Sequence, residues 1–128
     1  MFARKVAARV KPNSMTRFVN LMESEILPWL RKQKGFVDLI VLTAPDSEEV
    51  ATVSFWDHSE NEEAYNSTGY PTVLKALGKL LEGTPYVKTF DVASSTVHHI
   101  AGSRPTETDD TVGKISATLD YRACETGP

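Results

Sequence analysis

The segment from Val50 to Tyr70 contains the residues best suited to form a small-molecule pocket. A β-type run ends in Trp56, and within three residues it gives way to an acidic helical pattern that contains Tyr65. Thr52, Ser54 and Trp56 alternate along the run and therefore share one face of a strand. Because pocket walls often combine polar groups with aromatic rings, this face is a candidate binding surface.

The same two aromatic residues also fit a purely structural role. Trp56 and Tyr65 lie near a strand–helix junction, where large aromatic side chains commonly fill the core beneath the helices. A group that handles protons in a cavity beside them would favour an enzyme. A cavity filled by the two rings would instead favour a non-catalytic ligand-binding or dimerisation module on the same fold.

The composition of the 128-residue chain is typical of a single globular domain, with 41% hydrophobic and 24% charged residues. The net charge is −3 and no basic stripe is present, so neither nucleic acid nor a membrane is expected as a partner. The single cysteine, Cys124, cannot form a disulfide within the chain. No apolar run is long enough for a signal peptide or a membrane span, and we expect a cytoplasmic protein.

No metal site is expected from the sequence. His98 and His99 are adjacent in a strand-like stretch, where they would point to opposite faces, so one metal ion could not easily bind both. No glycine-rich phosphate loop, HExxH motif or CxxC motif is present.

The first part of the chain predicts a strand followed by a helix. Apolar and charged residues alternate over residues 2–10, as in a half-buried strand. From Met15 to Leu30, apolar residues recur at three- and four-residue steps, which predicts a helix. Pro28 lacks the N–H of a helical hydrogen bond, so the helix should kink or restart there. Gly35 is expected to end it in the left-handed conformation.

A hairpin and a short helix follow. Residues 36–43 form a nearly continuous apolar run, and a turn cluster joins them to a second predicted strand, residues 49–56. Ser59 and Glu62 have the spacing of a capping box, which predicts the start of a short helix that ends near Asn66.

Another helix and a fourth strand complete this pattern. Apolar residues repeat from Tyr70 to Leu81, and Pro71 suits the first helical turn. We expect residues 83–85 to close the helix and residues 86–99 to form the last strand.

The order β-α-β-β-α-β predicts a ferredoxin-like α+β fold, an antiparallel four-stranded sheet with both helices on one face. Residues 36–43 look suited to burial on both sides, although the helices cover only one. The cheapest cover for the open face is a second copy of the chain, so we expect a homodimer.

The chain is expected to divide into a ferredoxin-like domain, residues 1–99, and a C-terminal extension, residues 100–128. The extension begins with a threonine-rich acidic stretch that has the composition of a linker. Residues 115–121 alternate again, which predicts an edge strand or an arm that wraps the partner subunit.

Short motifs within residues 2–98 carry a resemblance to a known family. They are Lys34-Gly35-Phe36 before the second strand, Ser54-Phe55-Trp56 before the acidic helix, Ala64-Tyr65 on that helix, and an apolar helix that ends in Gly-x-Pro. In this combination they resemble the antibiotic biosynthesis monooxygenase (ABM) family of dimeric α+β barrels. The resemblance implies a dimeric α+β barrel formed by two ferredoxin-like domains.

The family includes oxygenases for quinol and polyphenol substrates that use neither metal nor flavin. An electron-rich phenol, once deprotonated, can itself pass an electron to O₂. The protein must then supply a pocket, a group that handles the proton, and exclusion of bulk water. The resemblance therefore implies a cofactor-independent monooxygenase that acts on a hydroxylated aromatic or quinol.

The resemblance also implies roles for particular residues. Trp56 and Tyr65 would be aromatic walls of the substrate pocket, and Tyr70 would be a wall or a hydrogen-bond donor. His98 or Arg4 would handle the proton or the substrate anion. Thr52 and Ser54 would complete the substrate-binding surface.

Haem-degrading members of the family differ from this chain at three positions. Their second aromatic residue is Trp, whereas Tyr65 occupies that position here. Their axial His falls at about Lys75, and the Asn of their first strand has no counterpart within residues 2–10. Haem degradation by that mechanism is therefore disfavoured.

Overall fold

Four strands form one antiparallel sheet in a computed structural model that describes residues 1–98. The strands are β1 (Phe2–Val10), β2 (Phe36–Thr43), β3 (Glu49–Trp56) and β4 (Leu81–Asp91). Their order in the sheet is β2-β3-β1-β4, so β1 lies in the centre and pairs with β3 and β4. The chain divides into two compact units after Asp91, and the sheet belongs to the first.

The helices follow in the predicted places. They are α1 (Met15–Leu21), a π-helical segment (Met22–Ile26), α2 (Leu27–Leu30), α3 (Ser59–Thr68) and α4 (Tyr70–Leu77). The restart predicted at Pro28 is confirmed, because α2 begins one residue before it and carries the proline in its first turn. Just before it the helix is wider, and the Leu27 N–H donates to the carbonyl of Met22.

The core lies between one face of the sheet and the helices. Val10, Val50 and Trp56 supply the sheet side of this core, and all three are buried. The opposite side consists of buried residues from every helical part of the fold: Phe18, Met22, Ile26, Leu30, Tyr65, Val73 and Leu77. The predicted ferredoxin-like α+β fold, with its helices on one face of the sheet, is confirmed.

The other face of the sheet carries large apolar side chains that are exposed among residues 1–98. Ile40 and Leu42 of β2 pair with Val53 and Ala51 of β3, and they are 45% and 49% exposed. Tyr86 and Phe90 of β4 are also exposed large hydrophobic residues. The apolar run over residues 36–43 thus has one face against the helices and one that no residue of the described range 1–98 buries.

The last strand differs from the prediction at both ends. It begins at Leu81, where residues 83–85 had been expected to close a helix, and it ends at Asp91, well before residue 99. Gly83 has a φ of 71°, and the pairing with β1 shifts register between Ala7 and Arg9. Turn-forming residues therefore belong to an irregularity inside the strand, where glycine accepts a conformation that other residues resist.

The predicted capping box does not form. His58 is the N-cap of α3, no side chain caps this end, and the helix ends at Thr68 rather than near Asn66. Glu62 is 3% exposed and turns into the fold, where it pairs with Arg4. A buried cation is thus a stronger partner for this carboxylate than the backbone N–H at the helix start.

Gly35 has the left-handed conformation that its position after the first helix predicts, with a φ of 83°. A Cβ there would also collide with the side chains of Asp57 and Asn61, so the position excludes larger residues. His99 and the predicted extension over residues 100–128 lie outside the described residues.

Candidate functional site

A small cavity lies between the sheet and the helices, within the first compact unit. Its volume is about 40 Å³, and most of its wall is aliphatic. The polar and aromatic part of the wall comes from Arg4 on β1, Thr52 and Ser54 on β3, Tyr65 on α3, and Tyr70 at the start of α4. Strand register explains part of this grouping, because Arg4 pairs with Ser54 across β1 and β3.

Arg4 is the most unusual residue of this wall, because it is 2% exposed. Its Nη1 donates to Glu62 Oε2 at 2.7 Å and to Asn66 Oδ1 at 2.9 Å. Glu62 and Asn66 are four positions apart on α3 and therefore project from the same side of the helix. Two side chains of one helix thus hold one edge of the guanidinium.

The other terminal nitrogen of Arg4 has no such support. Nη2 is buried and has no hydrogen-bond partner among the described residues. A buried donor left unpaired costs on the order of 1–3 kcal/mol, and more when the group is charged. The site therefore lacks a hydrogen-bond acceptor for Arg4 Nη2 within residues 1–98.

Aromatic rings enclose the guanidinium from two directions. The Arg4 Cζ atom is 4.2 Å from the centre of the Tyr70 ring and 5.4 Å from that of Tyr65. A cation over a ring face is stabilised by the ring's quadrupole, which strengthens when water is excluded. These contacts fix the plane of the guanidinium beside the cavity.

Trp56 lies behind Tyr65 and is fully buried. The two rings stack with centroids 5.0 Å apart and an interplanar angle of 29°, and Phe36 contacts Trp56 edge-on at 5.7 Å. The indole Nε1 donates to Ser54 Oγ at 2.9 Å. Trp56 therefore supports the wall through Tyr65, whose own ring lines the cavity.

Burial keeps both tyrosine hydroxyls of the site neutral. Desolvation raises the pKa of Tyr65 far above its ordinary value, and the nearby Arg4 charge opposes this only in part. Desolvation also raises the pKa of Tyr70, against the Arg4 charge and a hydrogen-bonding interaction of the Tyr70 hydroxyl with the Arg4 side chain. That interaction does not have the geometry of a hydrogen bond to Nη2. At neutral pH both groups are therefore phenols that can donate a hydrogen bond.

The structure brings together five of the residues proposed from sequence, namely Arg4, Thr52, Ser54, Tyr65 and Tyr70. Trp56 stands directly behind them. His98 belongs to the second unit and lies in a turn rather than a strand, where its backbone N–H donates to Ser95 Oγ at 3.0 Å.

Glu62 and Asn66 are the site residues that the sequence reasoning missed. Together with Tyr65 they occupy positions i, i+3 and i+4 of α3, the spacing of one helix face. That spacing was visible in the sequence, but Glu62 had been assigned to the helix start.

Residues 1–98 were compared with the requirements of a metal site and of a membrane-spanning helix, and they meet neither. In that range no group of three His, Cys, Asp or Glu side chains is placed to hold a metal ion. Nor does any helix there have the length and apolar character needed to cross a membrane.

Comparison with known proteins gives matches at the level of structure. No family model matches the sequence, and no curated protein matches it. A monooxygenase from the gene ActVA-Orf6 of Streptomyces coelicolor, solved with the ligand nanaomycin D, superposes with a TM-score of 0.63 at 19% identity. That match covers 73% of this chain and 88% of the Streptomyces chain.

SnoaB, a cofactor-independent oxygenase from Streptomyces nogalater, gives a TM-score of 0.62 at 15% identity, over 74% of this chain and 95% of its own. This chain has the ferredoxin-like α+β fold of these two oxygenases. Protein NE2512 of Nitrosomonas europaea, of unknown function, has the same fold with a TM-score of 0.63 and 17% identity, over 74% of this chain and 91% of its own. Since one fold supports several functions, the reaction must be argued from the cavity beside Arg4.

Proposed function

We propose that this protein is a monooxygenase that acts on a hydroxylated aromatic or quinol substrate beside Arg4, without a metal or flavin. The observation that carries the proposal is the buried Arg4 Nη2, which has no hydrogen-bond partner within residues 1–98, in a guanidinium that lies against two tyrosine rings. A substrate oxygen is the acceptor that this nitrogen lacks. The ABM-fold oxygenases named above support the reaction class.

The proposed reaction uses the electron-rich ring of the substrate. The neutral phenol gives its proton and one electron to O₂, and the resulting phenoxyl and hydroperoxyl radicals combine at a ring carbon to form a hydroperoxide. Loss of water then leaves a carbonyl at that carbon, so one oxygen atom enters the product and the other enters water. Arg4 donates a hydrogen bond to the oxygen of the neutral phenol and orients the ring, because a guanidinium keeps its own proton and remains a donor throughout.

The surrounding residues would position the substrate. Tyr65 and Tyr70 supply ring faces, and the neutral Tyr70 hydroxyl supplies a second hydrogen bond. Thr52 and Ser54 supply polar contacts on the sheet side. A ring needs more room than about 40 Å³, so binding requires Tyr70 and the start of α4 to move outward.

The test is oxygen consumption by chelator-treated, flavin-free protein with a panel of hydroquinones and naphthols. Arg4→Lys keeps the charge but loses the planar fork, and we expect kcat/KM to fall by about a hundredfold. Arg17→Lys is the matched control, since it makes the same substitution at an exposed position of the first helix. Full activity in Arg4→Lys would contradict the role of Arg4, and no turnover with any substrate would contradict the reaction.

A second candidate function is a non-catalytic module that binds a small ligand or serves dimerisation. One observation favours it: the rings of Tyr65 and Tyr70 leave a cavity of about 40 Å³, which suits a few waters rather than an aromatic substrate. Aromatic ligands that bind without consuming oxygen would favour this candidate over the oxygenase.

For the assembly, we propose that a second copy of the chain covers the open face of the sheet. This face carries Ile40, Leu42, Tyr86 and Phe90, together with an open groove of about 620 Å³. The groove is lined by charges of both signs, among them Lys5, Arg9, Glu49 and Glu82. A two-fold axis brings each charge opposite a different one, so such a surface is able to complement itself.

A further inference from the structure

The cavity beside Arg4 carries no net charge. Among the described residues that line it, Arg4 is the one with a formal charge, and Glu62 lies 2.7 Å from Arg4 Nη1. The side chains of this pair are 2% and 4% exposed, so water screens neither charge. Tyr65 and Tyr70 contribute neutral hydroxyls to the same wall.

Because the cavity carries no net charge, a charged ligand should bind there less well than an uncharged one. A carboxylate or phosphate on Nη2 would add a second anion to a buried pair that is already balanced. An uncompensated charge in a desolvated place is costly. A phenol or carbonyl oxygen, by contrast, gives Nη2 its missing acceptor and adds no charge.

We propose that Glu62 is a specificity-determining residue, which makes the site select uncharged hydroxylated aromatics and reject aromatic carboxylates. Glu62 does so by cancelling the Arg4 charge and by holding Nη1, which leaves Nη2 for the ligand. The inference rests on the proposed function in assuming that the ligand is a hydroxylated aromatic compound. The preference for an uncharged ligand follows from the Arg4–Glu62 ion pair alone.

The experiment compares two probes of nearly the same shape, 4-hydroxybenzamide and 4-hydroxybenzoate, at pH 7. Dissociation constants are measured by calorimetry in the absence of oxygen, so that no turnover is needed. Wild-type protein should bind the amide about tenfold more tightly or better, whereas Glu62→Gln, which leaves the Arg4 charge unbalanced, should favour the benzoate by a similar factor.

Two further variants distinguish the effect of the Glu62 charge from a general effect of substitution on the structure. Glu62→Asp keeps the negative charge and should keep the preference for the amide. Glu63→Gln removes the same charge from an exposed position of the same helix and should leave both affinities as in wild type. Circular dichroism of each variant establishes that it is folded before binding is measured.

Several outcomes would overturn the inference. A wild-type preference for the benzoate would do so without any variant, and so would equal affinities. An unchanged preference for the amide in folded Glu62→Gln would show that Glu62 does not determine specificity. Failure of the wild-type protein to bind either probe would contradict the existence of the binding site. A preserved amide preference without oxygen consumption would contradict only the oxygenase reaction.

Discussion

At the scale of single residues, the buried ion pair between Arg4 and Glu62 is the feature that distinguishes this site from an ordinary core. A core built only for stability would replace both groups with apolar residues, since buried ion pairs are often no more stabilising than a hydrophobic pair. Here the pair is present, and one guanidinium nitrogen lacks a partner in the part of the chain that the structure describes. Retaining such a group is better explained by binding than by stability.

A double-mutant cycle tests the energetic part of this argument. Arg4→Met alone leaves Glu62 buried without its cation and should lower the free energy of unfolding by about 3–5 kcal/mol. Arg4→Met combined with Glu62→Leu removes both charges and should recover most of that loss. Urea denaturation of the four proteins measures this, and additive losses in the double variant would contradict the coupling.

The buried tyrosines predict how stability changes at alkaline pH. Because burial raises the pKa of Tyr65, the unfolded chain loses this proton at a lower pH than the folded chain does. The stabilisation is complete below the unfolded pKa of about 10 and declines as pH rises above it. Tyr65→Phe should therefore flatten the decline in urea midpoint between about pH 9 and 11.

The control for this prediction is Ser67→Ala, which removes a hydroxyl that does not titrate from an exposed position of the same helix. The alkaline decline of this variant should follow that of wild type. A wild-type decline that survives in Tyr65→Phe would show that another group controls the alkaline transition.

At the scale of elements, the junction between α3 and α4 positions the aromatic wall. Gly69 separates the two helices, and its N–H donates to the Tyr65 carbonyl at 2.7 Å. A Cβ at Gly69 would lie 2.8 Å from the rings of both Trp29 and Tyr65. The absence of a side chain here allows Tyr65 to pack between its aromatic neighbours.

Gly69→Ala should therefore displace the Tyr65 ring and destabilise the protein by about 1–3 kcal/mol, as overpacking in a core does. Thermal unfolding measures the change. Gly78→Ala is the matched control, because its backbone is helical and the nearest atom to the new Cβ is the Leu74 carbonyl oxygen at 3.3 Å. Equal effects of the two substitutions would contradict the packing argument.

At the scale of the whole molecule, the open face of the sheet predicts the assembly state. Exposed apolar patches of this kind on a folded domain usually mark an interface. Wild-type protein should therefore sediment as a dimer at micromolar concentration. A monomer under these conditions would contradict the proposal.

Charge on the open face should prevent this association. Leu42→Lys places an unpaired charge on the apolar part of the proposed interface in both copies, and it should yield a monomer by sedimentation velocity. Glu23→Lys changes charge at an exposed position on the helical side of the chain and should leave the dimer intact. A dimer that persists in Leu42→Lys would show that the interface lies on another surface of the protein.

The sequence alone was sufficient for the order of the elements and for most of the cavity wall. Periodicity is a local property, so the alternation over residues 2–10 and the helical stripe after Met15 were both interpretable without contacts. The shared strand face of Thr52 and Ser54 followed in the same way. The sequence pattern also predicted that Tyr65 lies on a helix after the third strand.

Tertiary structure alone decided the remaining features, because they depend on contacts between distant residues. Glu62 meets Arg4 across 58 positions of sequence, and no local rule distinguishes this from a cap at the helix start. The register that places Arg4 beside Ser54, and the irregularity at Gly83 that lengthens β4, are likewise set by strand pairing. The sequence thus determined the polar and aromatic residues of the cavity wall. Packing added Glu62 and Asn66 to the site and decided that Arg4 Nη2 has no partner within residues 1–98.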